Sequence, residues 1–343
     1  MFEVGLIIPT KNRYIFLERL IQYYINNNTN HVLYIGDASD INYKNEITNL
    51  LKSNKSNIVV NYFYLPDFND TKTIKFLANQ IKENYCAFVG DDDFLVPASL
   101  SKCAEFLYYN VDYRTAQGKA ILFELNEIGP YGTIKGTQVY WTKKEVVELT
   151  GVARLNNFSK NYWVPQFSVH RTFEYLVDSE HYDLFNDRSF GEIFHNFTFV
   201  LNGKSKHLDL LYLVRQTHNQ RYLLTSFYDW ILKETWIVDY KFFIDKISDS
   251  LISIDNIRKE TAVQIANNTF KNYLISFSSK SNNSHKKNIS NKFLNNIKKI
   301  LLYIYYKLFY KNEFLKLLRR NSKYKVDALE IYNLITNNTY VKQ

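Results

Sequence analysis

Apolar and polar positions in the first 110 residues alternate between two periods. Val4 to Ile8 is an unbroken apolar run closed by Pro9-Thr10. Short continuous runs of this kind fit strands buried on both faces. Tyr14 to Ile25 follows with Ile15, Leu17, Leu20, Ile21 and Tyr24 at helical spacing. Val32 to Ile35 predicts a second strand ending in Gly36-Asp37-Ala38-Ser39-Asp40, and Ile47, Leu50 and Leu51 mark a second helix. Ile58 to Leu65 predicts a third strand, closed by Pro66-Asp67. Thr71 to Asn84 predicts a third helix with Ile74, Leu77, Ala78 and Ile81 on one face. A fourth strand from Tyr85 ends at Gly90. This β-α order argues for a parallel sheet with helices on both faces.

Beyond residue 119 the pattern changes. Residues 120–123 and 137–141 predict strands joined through turns at Gly129, Gly132 and Gly136. Residues 187–203 predict a helix stopped by Gly203, with Ile193, Phe194, Phe197 and Leu201 apolar. Leu208 to Val214 predicts a strand, and 227–277 mostly helix. Ser278 to Ser290 has the composition of a linker, and 291–320 predicts further helix.

Apolar residues make up 46% of the 343, which places the chain among globular proteins. Two cysteines, Cys86 and Cys103, make no disulfide framework and fit a reducing cytoplasm. The N-terminus lacks signal-peptide character, and no window is apolar enough for a transmembrane helix. The net charge of +9 is local: residues 286–325 hold twelve Lys or Arg against Glu313, so the remainder is slightly acidic.

The candidate chemistry gathers at strand ends. Asp91-Asp92-Asp93 follows the fourth strand directly. Three adjacent anions repel one another, and a divalent cation carrying phosphate oxygens would offset them; the alternative is a solvated turn opening the helix near Pro97. Pro9-Thr10-Lys11-Asn12-Arg13, Gly36 to Asp40 and Asp67-Phe68-Asn69-Asp70 end the other three strands. Four consecutive polar tips on the carboxyl edge of one sheet make a site. No Gly-rich dinucleotide loop and no Walker loop accompanies them.

Ile7-Ile8-Pro9-Thr10-Lys11-Asn12-Arg13, Asp37-Ala38-Ser39 and Gly90-Asp91-Asp92-Asp93 together resemble the family 2-type glycosyltransferases of the GT-A fold. The nearest resemblance is to a bacterial subgroup with Gly90 to Phe94 and a later Tyr212 to His218 segment. It covers about residues 1–225 and implies a Rossmann-like α/β sheet flanked by helices, mostly parallel, with 226–343 as a helical C-terminal extension. Within 1–225, residues 1–110 would form the nucleotide-binding half and 111–225 the acceptor half.

The same resemblance implies nucleotide contacts from Pro9, Thr10, Arg13, Asp37, Asp91 and Asp92, with Asp70 as a further candidate. Lys75 and Lys72, on the helix after Asp70, are weaker phosphate candidates, with a solvated helix face as the alternative for both. Where the family has paired acids, this chain has Gly36-Asp37. Asp93, Asp91 and His218 are the implied ligands of Mn²⁺ or Mg²⁺, which would stabilise charge on the departing nucleoside diphosphate. Arg215 and Arg221 are the implied phosphate partners. The family's base begins a helix eleven residues before a Gly. Glu192 stands there relative to Gly203, preceded by Gly191 where the family has Glu-Asp; Asp187 is the second choice. A first-turn acid favoured by the helix dipole is the alternative for Glu192. Trp141, Trp163, Tyr162 and Gln166 fall in the acceptor interval, although core packing explains any aromatic in so aromatic a chain.

The implied activity is metal-dependent inverting transfer from a nucleotide-diphosphate sugar, a UDP-sugar first, to a glycan or lipid-linked acceptor in bacterial cell-surface polysaccharide synthesis. A sugar nucleotidyltransferase would carry a Gly-rich basic N-terminal loop, absent here. A non-catalytic membrane-associated assembly protein would need neither the Asp triplet nor Glu192. In 286–325, Phe293, Ile297, Ile300, Leu301, Ile304 and Leu308 recur at helical spacing among Lys residues. That pattern fits a helix lying on an anionic membrane surface or packing on the domain. No nucleic-acid motif accompanies it.

Overall fold

The alternating N-terminal pattern becomes β1 (Gly5–Thr10), α1 (Tyr14–Asn26), β2 (Val32–Asp37), α2 (Ile41–Ser53), β3 (Val60–Tyr64), α3 (Asp70–Gln80) and β4 (Tyr85–Phe88). These are seen in a computed structural model that describes residues 2–53, 56–219, 225–285 and 313–336. β1 pairs in parallel with β2 and β4, and β2 with β3. The apolar runs lie in the core as expected: Leu6, Ile7, Ile8, Leu33 and Ile35 are fully buried.

The second half is mixed. After β5 (Asp93–Leu95) and α4 (Pro97–Tyr109) come the long β6 (Tyr113–Leu125) and β7 (Ile134–Trp141). Then follow α5 (Gly151–Lys160), β8 (Val169–Arg171), α6 (Thr172–Asp178), α7 (Arg188–Asn202) and β9 (Lys204–Thr217). The sheet order is β3-β2-β1-β4-β8-β6-β9-β5, with β7 on the side of β6. β6 and β9 are parallel, whereas β8 pairs antiparallel with β4 and β6, and β5 with β9. β6 and β9 run well past the apolar segments that predict them, because neighbouring strands satisfy the backbone of polar residues too.

The short β5 and β8 carry no periodic signal, yet both matter. β8 joins the two halves of the sheet. β5 starts at the last acid of the triplet and places it opposite Arg215 on β9.

Helix α1 departs from its apolar stripe. Ile15 is 52% exposed, while Arg19 is fully buried. Arg19 Nη1 donates to the Pro130 carbonyl and to Gln216 Oε1, both at 2.5 Å, and Nη2 donates to the Asp92 carbonyl at 2.7 Å. Its guanidinium lies 4.6 Å from the Phe94 ring centroid. Burial lowers its pKa to about 10, which leaves it charged at neutral pH.

The helices after residue 226 are α8 (Phe227–Ile231), α9 (Trp236–Asp255), α10 (Lys259–His285), α11 (Glu313–Leu317) and α12 (Lys325–Thr336). Phe243, Ile247, Leu251 and Phe270 join the same apolar core as the sheet. Asp239 on α9 accepts from the backbone N–H groups of Asn186 and Asp187, fixing the approach to α7. Phe314 packs on Phe123, and the Ile335 carbonyl accepts from Gly132 N–H. The expected linker at Ser278 is helical as far as His285, because extending an established helix adds one hydrogen bond per residue fixed. Residues 286–312, most of the basic segment, lie outside the described residues. Among those described, no helix is long and apolar enough to cross a membrane.

Gly191 lies one turn into α7. A Cβ there would meet the Tyr182 carbonyl oxygen at 2.9 Å. A larger side chain has no room at this position. In an open helix Gly→Ala stabilises by about 1 kcal/mol. Here Gly191→Ala is expected to destabilise by about 1–3 kcal/mol, read as a fall in thermal midpoint; a rise would refute the packing argument. Arg19→Met strands two carbonyls and an amide in the interior. It is expected to cost about 3 kcal/mol or more in urea unfolding, and an unchanged midpoint would count against the role assigned to Arg19.

Candidate active site

The first two strand tips are tied together. Asn12 adopts a left-handed conformation, φ 55°, which Asn tolerates better than most residues. Its N–H donates to Ser39 Oγ at 2.7 Å, its Nδ2 to Asp40 Oδ2 at 3.0 Å, and its Oδ1 accepts from Asp40 N–H at 2.9 Å. Asp37 lies beneath, fully buried, accepting from Ser39 N–H at 2.8 Å and from the Tyr62 hydroxyl at 2.7 Å. Both its oxygens shape the tip, so it stands behind the site wall and not on it. Gly36 replaces the expected acid because α3 packs there: a Cβ would meet Thr73 Cγ2 at 2.5 Å.

The Asp triplet is buried and ringed by cations. Gly90 lets the chain fold back, since a Cβ there would meet Asp92 Oδ1 at 2.7 Å. Thr10 Oγ1 donates to Asp91 Oδ2 at 2.8 Å. One nitrogen of Arg13, Nη2, lies 2.8 Å from Asp91 Oδ1 and 2.5 Å from Asp92 Oδ2. His218 Nε2 lies 2.9 Å from Asp92 Oδ2, and its ring stacks on Phe16 at 4.7 Å. Arg215 Nε donates to Asp93 Oδ2 at 2.7 Å, and Nη1 donates to the Tyr140 hydroxyl at 3.1 Å. Its guanidinium also lies 4.3 Å from the Phe167 ring centroid.

These contacts set the charge states. Burial pushes the Asp91 carboxyl up, against the pull of Arg13. Burial also penalises ionised Asp92, but the His218 hydrogen bond with Arg13 and Arg215 outweighs it and holds Asp92 below the usual carboxylate range. For Arg215, burial is likewise outweighed by Asp93, Tyr140 and Asp92, so the guanidinium rises above its ordinary value. Among the described residues, no three His, Cys, Asp or Glu side chains converge as a metal cage.

A cavity of about 850 Å³ opens at these tips. Its wall includes Pro9, Thr10, Lys11, Arg13, all three acids, Asp70 and Arg215, together with Tyr140, Gln166, Tyr182, Arg188 and Glu192. The structure therefore brings most of the expected residues together. Glu192 sits in the first turn of α7. One turn on, fully buried Asn196 donates to the Glu192 carbonyl and accepts from Gln166 N–H, tying Gln166 to the helix. Arg188 pairs with Asp70 at 2.5 Å, joining α7 to α3 beside the cavity.

Several expected residues lie elsewhere. Lys75 turns away to Asp183 at 2.7 Å, and Lys72 is exposed on α3. Asp187 caps α7, accepting from Ser189 N–H and pairing with Lys233. Trp141 is core, its Nε1–H donating to the Gly118 carbonyl. Trp163 and Tyr162 pack on Phe158. His218 stands behind Asp92 and off the cavity wall. Arg221 lies outside the described residues. Sequence reasoning missed Arg19, Tyr140, Tyr182, Arg188 and Asn196. Only Arg19 left a signal, as a lone cation within an apolar helical face.

No family model matches the sequence, and no curated protein matches it. Among solved structures, TarS 1–349 from S. aureus in complex with UDP-GlcNAc aligns with a TM-score of 0.54 at 14% identity, over 98% of this chain and 82% of that one. A longer S. aureus TarS chain aligns with a TM-score of 0.48 at 14% identity, over 80% of this chain and 43% of that one. This chain thus spans less than half of the longer TarS. The α/β fold, a large central sheet flanked by helices, is the one seen in S. aureus TarS 1–349.

Proposed function

We propose that the chain is a glycosyltransferase that takes its sugar from a nucleoside-diphosphate donor, with a UDP-sugar first among the candidates. The observation that carries this reading is one cavity with two separate acidic features, the cation-ringed Asp triplet and Glu192 on α7. The fold it shares with a TarS structure holding UDP-GlcNAc supports the choice of donor.

In this reading Lys11, Arg13 and Arg215 supply positive charge for the diphosphate, and Thr10 orients Asp91. The acids fit a hard divalent ion, which needs only one or two carboxylates when substrate phosphates and water complete its shell. Asp91 and Asp92, with Asp93 beside them, would hold Mn²⁺ or Mg²⁺, and His218 orients Asp92 from behind. Such an ion supplies stabilisation of the charge on the leaving diphosphate. Glu192 takes the proton from the acceptor hydroxyl as that oxygen bonds to the anomeric carbon. The bond to the diphosphate breaks on the opposite face, and configuration inverts. Tyr140, Gln166, Tyr182 and Arg188 form the acceptor side, suited to a glycan or a lipid-linked glycan of cell-surface polysaccharide assembly.

Glu192→Gln is expected to slow turnover by ~10²–10⁴-fold, with the rise in melting temperature on adding a UDP-sugar retained. Near-native turnover would defeat the assignment of the base. Chelation with EDTA is expected to abolish transfer, with Mn²⁺ or Mg²⁺ restoring it. Transfer undiminished by chelation would refute the metal role.

A further inference from the structure

Arg13 holds the acids differently from the other two arginines. Arg19 makes three directed hydrogen bonds, and Arg215 makes one each to Asp93 and Tyr140. Arg13 Nε is buried without a hydrogen-bond partner, and Nη2 alone is divided between two carboxylates. The attraction is that of a charge placed between two carboxylates, with Nη2 close to Asp91 Oδ1 and Asp92 Oδ2 at once. A metal ion held by these two acids would have to displace it. The Arg13 side chain is 20% exposed and lines the cavity. It extends from the turn before α1, outside the helix proper.

We propose that Arg13 and a divalent ion compete for the Asp91–Asp92 pair, and that the donor diphosphate decides between them. Two cations cannot share that position. A diphosphate offers the guanidinium doubly bonded, charge-assisted contacts, which it lacks between the acids. When Arg13 turns to the diphosphate, Asp91 and Asp92 are released to the metal. Arg19 and Arg215 keep their directed bonds, so the triplet holds its shape during the exchange. Metal affinity is therefore low without donor and high with it. The proposal rests on the donor-site reading above and adds the coupling, which is a property of this chain's own arginine.

The test is Mn²⁺ affinity, followed by electron paramagnetic resonance, for the full chain with and without UDP. Wild type is expected to bind Mn²⁺ weakly alone. Arg13→Met is expected to bind it on the order of tenfold more tightly without UDP, within the usual range of coupling between sites, and to gain correspondingly less when UDP is added. Arg13→Lys keeps the charge and is expected to stay near wild type. Should Arg13→Met fail to fold, as circular dichroism would show, Arg13→Gln serves as the neutral variant. Unchanged Mn²⁺ affinity in the neutral variant, with UDP still raising the melting temperature, overturns the competition and leaves the donor reading standing. UDP without effect on wild type defeats both.

Discussion

Three consecutive carboxylates at the end of a buried strand must be neutralised where water cannot do it. Placing charge in a low-dielectric interior costs several kcal/mol per ion unless partners are supplied. Much of the architecture around the cavity follows from that requirement. Arg13 comes from the turn before α1 and Arg19 from α1 itself, and Arg215 and His218 come from β9 and its end. The triplet is therefore the point at which the N-terminal parallel half and the mixed second half have to meet.

The meeting is made by pairing as well as by charge. β5 is only three residues long, yet its antiparallel register with β9 sets Asp93 opposite Arg215. Arg19 works from beneath, and its bonds to Pro130 and Gln216 carry the fold of the triplet into the β6–β7 connection. That connection is held in turn by α12 through Gly132 and Ile335. The described C-terminal helices thus brace the site from behind, and none of their described residues lines its wall.

The part of the wall that carries Glu192 depends on α7. Its entry is fixed by Asp239, its first turn presses Gly191 on Tyr182, and Asn196 fastens it to Gln166. A helix held at three points places Glu192 reproducibly, as a base acting in the cavity must be placed. The aromatic richness of the chain is spent on this packing. Trp141, Trp163 and Tyr162 pack in the core, and the rings that line the cavity, Phe68, Phe88, Tyr140, Phe167 and Tyr182, are ones that sequence patterning does not separate from the others.

The sequence by itself determined the N-terminal β-α alternation, the four polar strand tips and the helix bearing Glu192. Buried apolar runs, helical spacing and terminal stops are local signals written over a few consecutive residues. It did not determine which tip residues face the cavity. Asp37 and Arg13 stand on adjacent tips, yet Asp37 is turned inward by Ser39 and Tyr62 while Arg13 lines the wall. Nor did it show β5, β8, the burial of Arg19, the withdrawal of Lys75 and Asp187 into ion pairs or that of His218 to a contact with Asp92. Each of those depends on a partner far away in the chain, such as Gln216 for Arg19 or Asp183 for Lys75. Only the closed tertiary structure brings those partners within bonding distance, because charge pairing and strand register are settled between segments and not within them.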